Sequence, residues 1–198
     1  KLFPIYKAIK KVKENTLVKN KDLIGFVGAP WTLLVYMINK SSPKKKLIKD
    51  FFKDNYLINS ILKIIEKFLK IHIQNQIKNG ATVIQIFDSW AGLLEEKDLP
   101  NYVYMPTLNL VNYVKSFKIP VICFPREIKN YKNFCEIVNP DAVNIDYNID
   151  PKLIAKQIKI PIQGGLDPKV LLSSKENLKK QALNYLDIFK DHPYVFNL

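Results

Sequence analysis

The sequence predicts an α/β fold with parallel strands, on three observations. Six short apolar runs alternate with helical segments along the whole chain. Each run is apolar almost without interruption, as expected of strands buried on both faces. The joins are tight and rich in small residues, as in βα units.

The elements follow in order. The chain opens in a helical pattern. Leu23 to Val27 reads as the first strand. It breaks at Gly28-Ala29-Pro30 and turns at once into a helix, where Pro30 suits the first turn because its missing N–H costs nothing. Lysines interleave with apolar residues through Lys44 to Lys53 in a helical rhythm. Tyr56 to Lys78 carries Leu57, Ile61, Ile64, Ile65, Phe68, Leu69 and Ile73 at helical spacing, and Asn79-Gly80 closes it as a left-handed cap would. Strands are expected at Thr82–Phe87, Pro120–Phe124, Ala142–Asp146, Ile160–Gln163 and Tyr194–Asn197. Further helices are expected over Leu108–Phe117 and Leu178–Phe189. No linker or low-complexity tract interrupts the pattern, so residues 1–198 read as a single domain. Six strands suit an open doubly wound sheet or six-eighths of a (β/α)8 barrel. Neither G-x-G-x-x-G nor G-x-x-x-x-G-K is present to favour a nucleotide-binding sheet.

Composition narrows the function. The formal charge is +13, and Arg126 is the sole arginine among 31 Lys and Arg residues. Lysine-coated solvated faces account for most of this charge, and its net field also attracts anionic partners. Nucleic acid is not expected, because no basic cluster carries interleaved aromatics and arginine is almost absent. Cys123 and Cys135 make neither a disulfide framework nor a metal motif, which fits a reducing cytoplasmic compartment. Cys123 sits in an apolar run and reads as a core residue. No stretch approaches the roughly 18 apolar residues of a membrane span, and no signal peptide is recognisable.

Polar residues cluster where strands end: Asp88-Ser89-Trp90-Ala91-Gly92, Pro125-Arg126-Glu127, Asp146-Tyr147 and Gln163-Gly164-Gly165-Leu166-Asp167-Pro168. In a barrel these all lie at one face, the face that carries active sites. Taken alone, Tyr36 reads as a tyrosine packed beside Trp31 and Met37, Ser89 as a helix N-cap, and Phe26 as core. Arg126 either faces an anionic ligand or pairs with Glu127 or Asp88. Asp88 reads as a carboxylate that supports neighbouring groups. Asp146 and Asp167 read as structural, with Asp167-Pro168 a helix cap. His72 reads as a surface or packed histidine, and His192 as a loop anchor.

Five blocks in order resemble the uroporphyrinogen decarboxylase family. They are Gly25-Phe-Val-Gly-Ala-Pro-Trp-Thr-Leu-Leu-Val-Tyr-Met37, Gln85-Ile-Phe-Asp-Ser-Trp-Ala-Gly92, Pro120-Val-Ile-Cys-Phe124, Asp141 to Asp150, and Gln163-Gly-Gly-Leu-Asp-Pro168. Tyr194 to Leu198 is similar to the strand that leads into the family's Gly-His-Gly. The resemblance implies a TIM barrel, here a partial barrel of about six βα units corresponding to strands three to eight. It implies cofactor-independent removal of the four acetate carboxyls of uroporphyrinogen III to give coproporphyrinogen III. It also implies a homodimer. By the same resemblance, Tyr36, Ser89, Phe26 and Arg126 bind substrate, with Arg126 standing where the family often has Lys. Gly165 replaces the usual Asn and is expected to loosen its loop. The chain opens on Lys1 within a helix and closes after a strand, so a fragment is expected. The family's catalytic aspartate and substrate-binding arginines would precede it, and the Gly-His-Gly histidine would follow Leu198. The 198 residues alone are therefore expected not to decarboxylate. Two alternatives accompany this reading. A zinc- and corrinoid-dependent methyltransferase of related fold needs a His-x-Cys pair, but Val121 stands two places before Cys123. A non-catalytic tetrapyrrole-binding remnant is the other.

Overall fold

The computed structural model describes residues 1–18, 20–40 and 54–197, and the expected helical stretch Lys44 to Lys53 lies outside them. The order of elements is α1 (Phe3–Glu14), β1 (Ile24–Gly28), α2 (Pro30–Asn39), α3 (Asn55–Lys78), β2 (Val83–Asp88), α4 (Met105–Lys115), β3 (Val121–Pro125), α5 (Tyr131–Val138), β4 (Ala142–Ile145), α6 (Pro151–Gln157), β5 (Ile162–Gly164), α7 (Lys175–Ile188) and β6 (Tyr194–Val195). All strand pairs are parallel. The strand order is β1-β2-β3-β4-β5-β6.

That order separates the two expected architectures. A doubly wound sheet reverses its strand order at a switch point. A strictly sequential order with right-handed crossovers places every helix on one face and curls the sheet around the other. Gln163 Nε2 on β5 donates to Gln85 Oε1 on β2 at 3.3 Å. Three strand spacings separate these strands, about 14 Å along the sheet. Their side chains meet because the sheet curls into an arc of a barrel. β1 and β6 form its two edges and face one cavity of about 310 Å³, lined by Phe26, Gln85, Phe87, Gln163 and Val195.

The core lies between the outer face of this arc and the helices. Ile84, Ile86, Val121, Cys123, Val143 and Ile162 pack against Leu34, Ile58, Ile73, Leu110, Phe134 and Phe189. Helix α3 keeps the expected rhythm, but only part of the expected apolar set, Ile65, Leu69 and Ile73, turns fully inward. Ile58, Leu62, Ile65, Leu69 and Ile73 are buried, whereas Leu57, Ile64 and Phe68 are exposed. The helix is apolar on two faces, and periodicity alone does not say which one meets the sheet. Gly80 takes the expected left-handed position after α3, with φ +116°. Helices α5 and α6 have eight and seven residues, too short for a periodicity argument. The last two strands are shorter than expected: β5 starts only at Ile162 and ends at Gly164, and β6 ends at Val195.

One side chain is bonded to the backbone of β1. The buried amide of Gln76 accepts the Phe26 N–H at 3.0 Å and donates to the Phe26 carbonyl at 2.9 Å, as a neighbouring strand would. His72 joins Gln76 to the Tyr6 hydroxyl, through contacts of 3.2 and 2.9 Å. It is thus a packed histidine, and burial lowers its pKa. Gln76→Leu should cost about 1–3 kcal/mol, because two backbone groups lose their partners. Hydrogen exchange at the Phe26 amide should accelerate with it. Unchanged protection there would show that the Gln76 amide does not hold the Phe26 backbone.

Candidate functional site

The site forms at the carboxyl ends of the strands. β2 runs through Asp88 into Ser89 and Trp90, β3 into Arg126, β4 into Asp146 and Tyr147, and β5 into Gly165. These loops enclose a cavity of about 320 Å³ lined by Ser89, Phe124, Arg126, Asp146, Tyr147 and Gly165. Phe26, Phe87 and Phe124 join edge to face, with ring centroids 6.0 and 6.2 Å apart, and so connect the arc's inner cavity to this one.

The four residues singled out in the sequence occupy three places. Ser89 and Arg126 line the loop cavity. Phe26 lines the inner cavity and is 64% exposed, so it is not a core residue. Tyr36 stands on α2 with its ring against Trp90, centroids 5.9 Å apart, and is 42% exposed rather than buried. Ser89 caps no helix, because the short turn that follows has Trp90 in the capping position with no side-chain bond. The loop turns before a helix begins, which leaves the Ser89 hydroxyl at the cavity.

Arg126 meets Glu127 at 3.4 Å and Asp146 at 3.9 Å. It reaches Asp88 only through the backbone, its N–H donating to the Asp88 carbonyl at 3.0 Å. Both ion pairs are longer than a tight charge-assisted bond of about 2.7–2.9 Å, so guanidinium donors remain for a ligand. Asp146 is structural, as expected. It is 4% exposed and accepts the Tyr131 hydroxyl at 2.7 Å and the Glu127 N–H. Burial, and then the charge of Asp146 beside it, pushes the Tyr131 phenol well above its ordinary range. Asp167 caps the turn at Pro168–Leu172 by accepting the Lys169 N–H at 2.9 Å. His192 anchors its loop by contact with the Ile158 and Pro193 carbonyls, at 2.9 and 3.0 Å.

Gly165 does not loosen its loop. Its φ is +96°, and a side chain there would stand 3.0 Å from both Ile145 and Tyr185. The Tyr185 hydroxyl donates to its carbonyl at 2.5 Å, which fixes the segment.

Asp88 is a buried carboxylate, 3% exposed. The Thr32 hydroxyl donates to its Oδ1 at 2.6 Å, while Oδ2 has no hydrogen-bond partner among the described residues. Burial raises its pKa to about 7, partly countered by the Thr32 hydroxyl and the Trp90 N–H. Cys123 is in the core, as expected, and burial pushes its thiol well up. Burial also pushes Cys135 up to about 12. Both environments favour the neutral thiol, the opposite of what a zinc thiolate needs. Among the described residues, no three His, Cys, Asp or Glu side chains are grouped to hold a metal.

Several participants carry little signal in the sequence. Thr32 sits in an apolar helix, and Gln85, Asn144 and Gln163 sit in apolar strands, yet all four are buried. Gln163 Nε2 also donates to Asn144 Oδ1 at 2.9 Å, so the three amides form one polar layer inside the arc. A lone polar residue breaking each apolar run is the available signal for that layer.

The family model described as uroporphyrinogen decarboxylase matches residues 1–198. The uroporphyrinogen decarboxylase of Wolbachia sp. subsp. Drosophila simulans is 40% identical over 202 residues, covering 100% of this chain and 59% of the relative. That of Rickettsia bellii is 37% identical over 204 residues, covering 100% and 60%. The chain thus spans about three-fifths of the length of these relatives. Among solved structures, a methyltransferase from Methanosarcina mazei superposes with a TM-score of 0.68 at 15% identity, over 93% of this chain and 55% of that one. A B12-independent methionine synthase from Shewanella gives 0.59 at 10% identity, over 96% and 57%. These two likenesses concern the fold alone.

Proposed function

The chain belongs to the uroporphyrinogen decarboxylase family, and we propose that it supplies the substrate-facing loops of a barrel that removes the acetate carboxyls of uroporphyrinogen. The observation that carries this reading is the placement of Ser89 and Arg126 around one cavity at the carboxyl ends of the strands, with Tyr36 on the adjoining helix. The substrate is an octacarboxylate. A chain of net charge +13 attracts it, and hydroxyl and guanidinium donors orient individual carboxylates. Phe26 and the aromatic row beside it present an apolar wall to the tetrapyrrole. The charge of Arg126 is already balanced by Glu127 and Asp146, so it contributes directed donors more than net attraction.

The chemistry requires no cofactor. A proton added to a pyrrole carbon makes that ring an electron sink. The C–C bond then breaks, its electrons return to the ring, and carbon dioxide leaves. A proton replaces the lost carboxyl on the side chain, and the ring proton departs. A carboxylate that binds the pyrrole N–H groups and stabilises the developing cation is assigned to the part of the relatives that this chain does not span. The working form is proposed to be a cytoplasmic homodimer.

The test is conversion of uroporphyrinogen III to coproporphyrinogen III, measured by chromatography. The chain in the full-length context of its relatives should turn over, and the 198 residues alone should not. Absence of turnover in the full-length context would overturn the function. Turnover by the isolated chain would overturn the assignment of the catalytic carboxylate elsewhere. In the active form, Ser89→Ala and Tyr36→Phe should each raise KM roughly tenfold, the loss of one hydrogen bond to a charged group. Unchanged KM in both would remove these residues from the binding surface.

A further inference from the structure

Two consecutive residues of α2 grip the loop after β2. The Thr32 hydroxyl donates to Asp88 Oδ1 at 2.6 Å and accepts the Trp90 backbone N–H at 3.3 Å. The indole Nε1 of Trp31 donates to the Trp90 carbonyl at 2.9 Å. Ser89 lies between the two gripped residues. Tyr36 lies one helical turn beyond Thr32, its ring against Trp90. Thr32 and Asp88 are 4% and 3% exposed, so bulk water does not compete for their bond.

We infer that Asp88 and Thr32 are positioning residues whose hydrogen bond latches the Ser89 loop to the Tyr36 helix, holding both side chains in one arrangement for a shared ligand. The ligand clause rests on the proposed function, whereas the latch itself does not. Because the Thr32 hydroxyl accepts from Trp90, its own proton goes to Asp88. An ionised Asp88 is the stronger acceptor, so the latch tightens as Asp88 loses its proton. Burial sets that event at about pH 7. The groups around Asp88 are few. On α2 they are Thr32 and Tyr36, and in the loop Trp90. On β3, Cys123 is held neutral by burial. Beyond β3, Arg126 turns its guanidinium to Glu127 and Asp146 and offers Asp88 only its backbone N–H.

The chain contains two tryptophans, Trp31 and Trp90, and both belong to the latch. Intrinsic tryptophan emission of the 198-residue chain, followed between about pH 5 and about pH 9, therefore reads its state. Emission should titrate with a midpoint near 7. Asp88→Asn and Thr32→Val should each abolish the midpoint, Thr32→Ser should restore it, and His72→Gln should leave it in place. Flat emission in the unsubstituted chain overturns the proposal before any variant is made. A midpoint that survives Asp88→Asn, or that disappears with His72→Gln, overturns it too. Failure of the full-length protein to decarboxylate would leave the emission midpoint standing, so the two failures are distinguishable.

Discussion

Gly92→Ala should destabilise the fold by about 2–4 kcal/mol and weaken ligand binding with it. A Cβ on Gly92 would stand 2.5 Å from the Glu127 Cβ and 2.6 Å from the Glu127 carbonyl oxygen. The obstacle is mostly backbone, so no side-chain rotation relieves it. Glu127 cannot retreat easily. Its own φ is +62°, a region that non-glycine residues rarely enter, and its N–H is bonded to the buried Asp146. The β2 and β3 loops must therefore part, breaking the bond from the Gly92 N–H to the Arg126 carbonyl at 3.0 Å. Ser89 and Arg126 ride on those two loops, so their separation changes as well. Urea unfolding checks the first effect. A loss below about 1 kcal/mol would mean that the loops yield without cost.

Asp88→Asn should remove a pH dependence of stability as large as ~4 kcal/mol. The folded chain holds the Asp88 proton up to about pH 7, whereas the unfolded chain releases it near its ordinary value of 3.8. Between these values the folded state binds more protons, so raising the pH weakens it. The contribution of the neutral acid is fully present below about pH 4, is lost progressively towards pH 7, and then levels off. About three pH units at 1.36 kcal/mol each give the stated size. Asparagine keeps an acceptor for Thr32 but buries an unpartnered amine where Oδ2 now lies, at about 1–3 kcal/mol. The variant should therefore exceed the parent by about 1–3 kcal/mol at pH 8 and fall below it at pH 4. Urea unfolding at three pH values decides the matter, and parallel profiles for the two proteins would refute it.

Individual residues show where a sequence is legible. Pro30 announced the start of α2 because its ring fixes φ and removes a donor, both local effects. Asp167 announced its cap for the same kind of reason, since its partner lies two residues away. Cys123 was legible as core because an apolar run leaves a small thiol nowhere else to go. The local reading of Ser89 as a cap fails, because whether a helix or a turn follows depends on Thr32, Trp31 and Arg126, all distant in sequence. Taken alone, Phe26 and Tyr36 also read as core, and that local reading fails for a related reason. Their exposure depends on the curl of the sheet and on the face that α2 turns inward.

What the sequence determined by itself was the alternation of strands and helices, the parallel sheet, the family and the loops that carry the polar residues. These depend on periodicity, proline and glycine chemistry, and short motifs, which act within a few residues of chain. Tertiary structure alone decided that the sheet curls until Gln85 meets Gln163. It also decided that Gln76 bonds the Phe26 backbone, and that a carboxylate beside Ser89 is buried with Thr32, its pKa raised to about 7. Each of these joins residues at least fifty positions apart. Burial and hydrogen-bond partnership at that range are set by how elements pack, which no local pattern encodes.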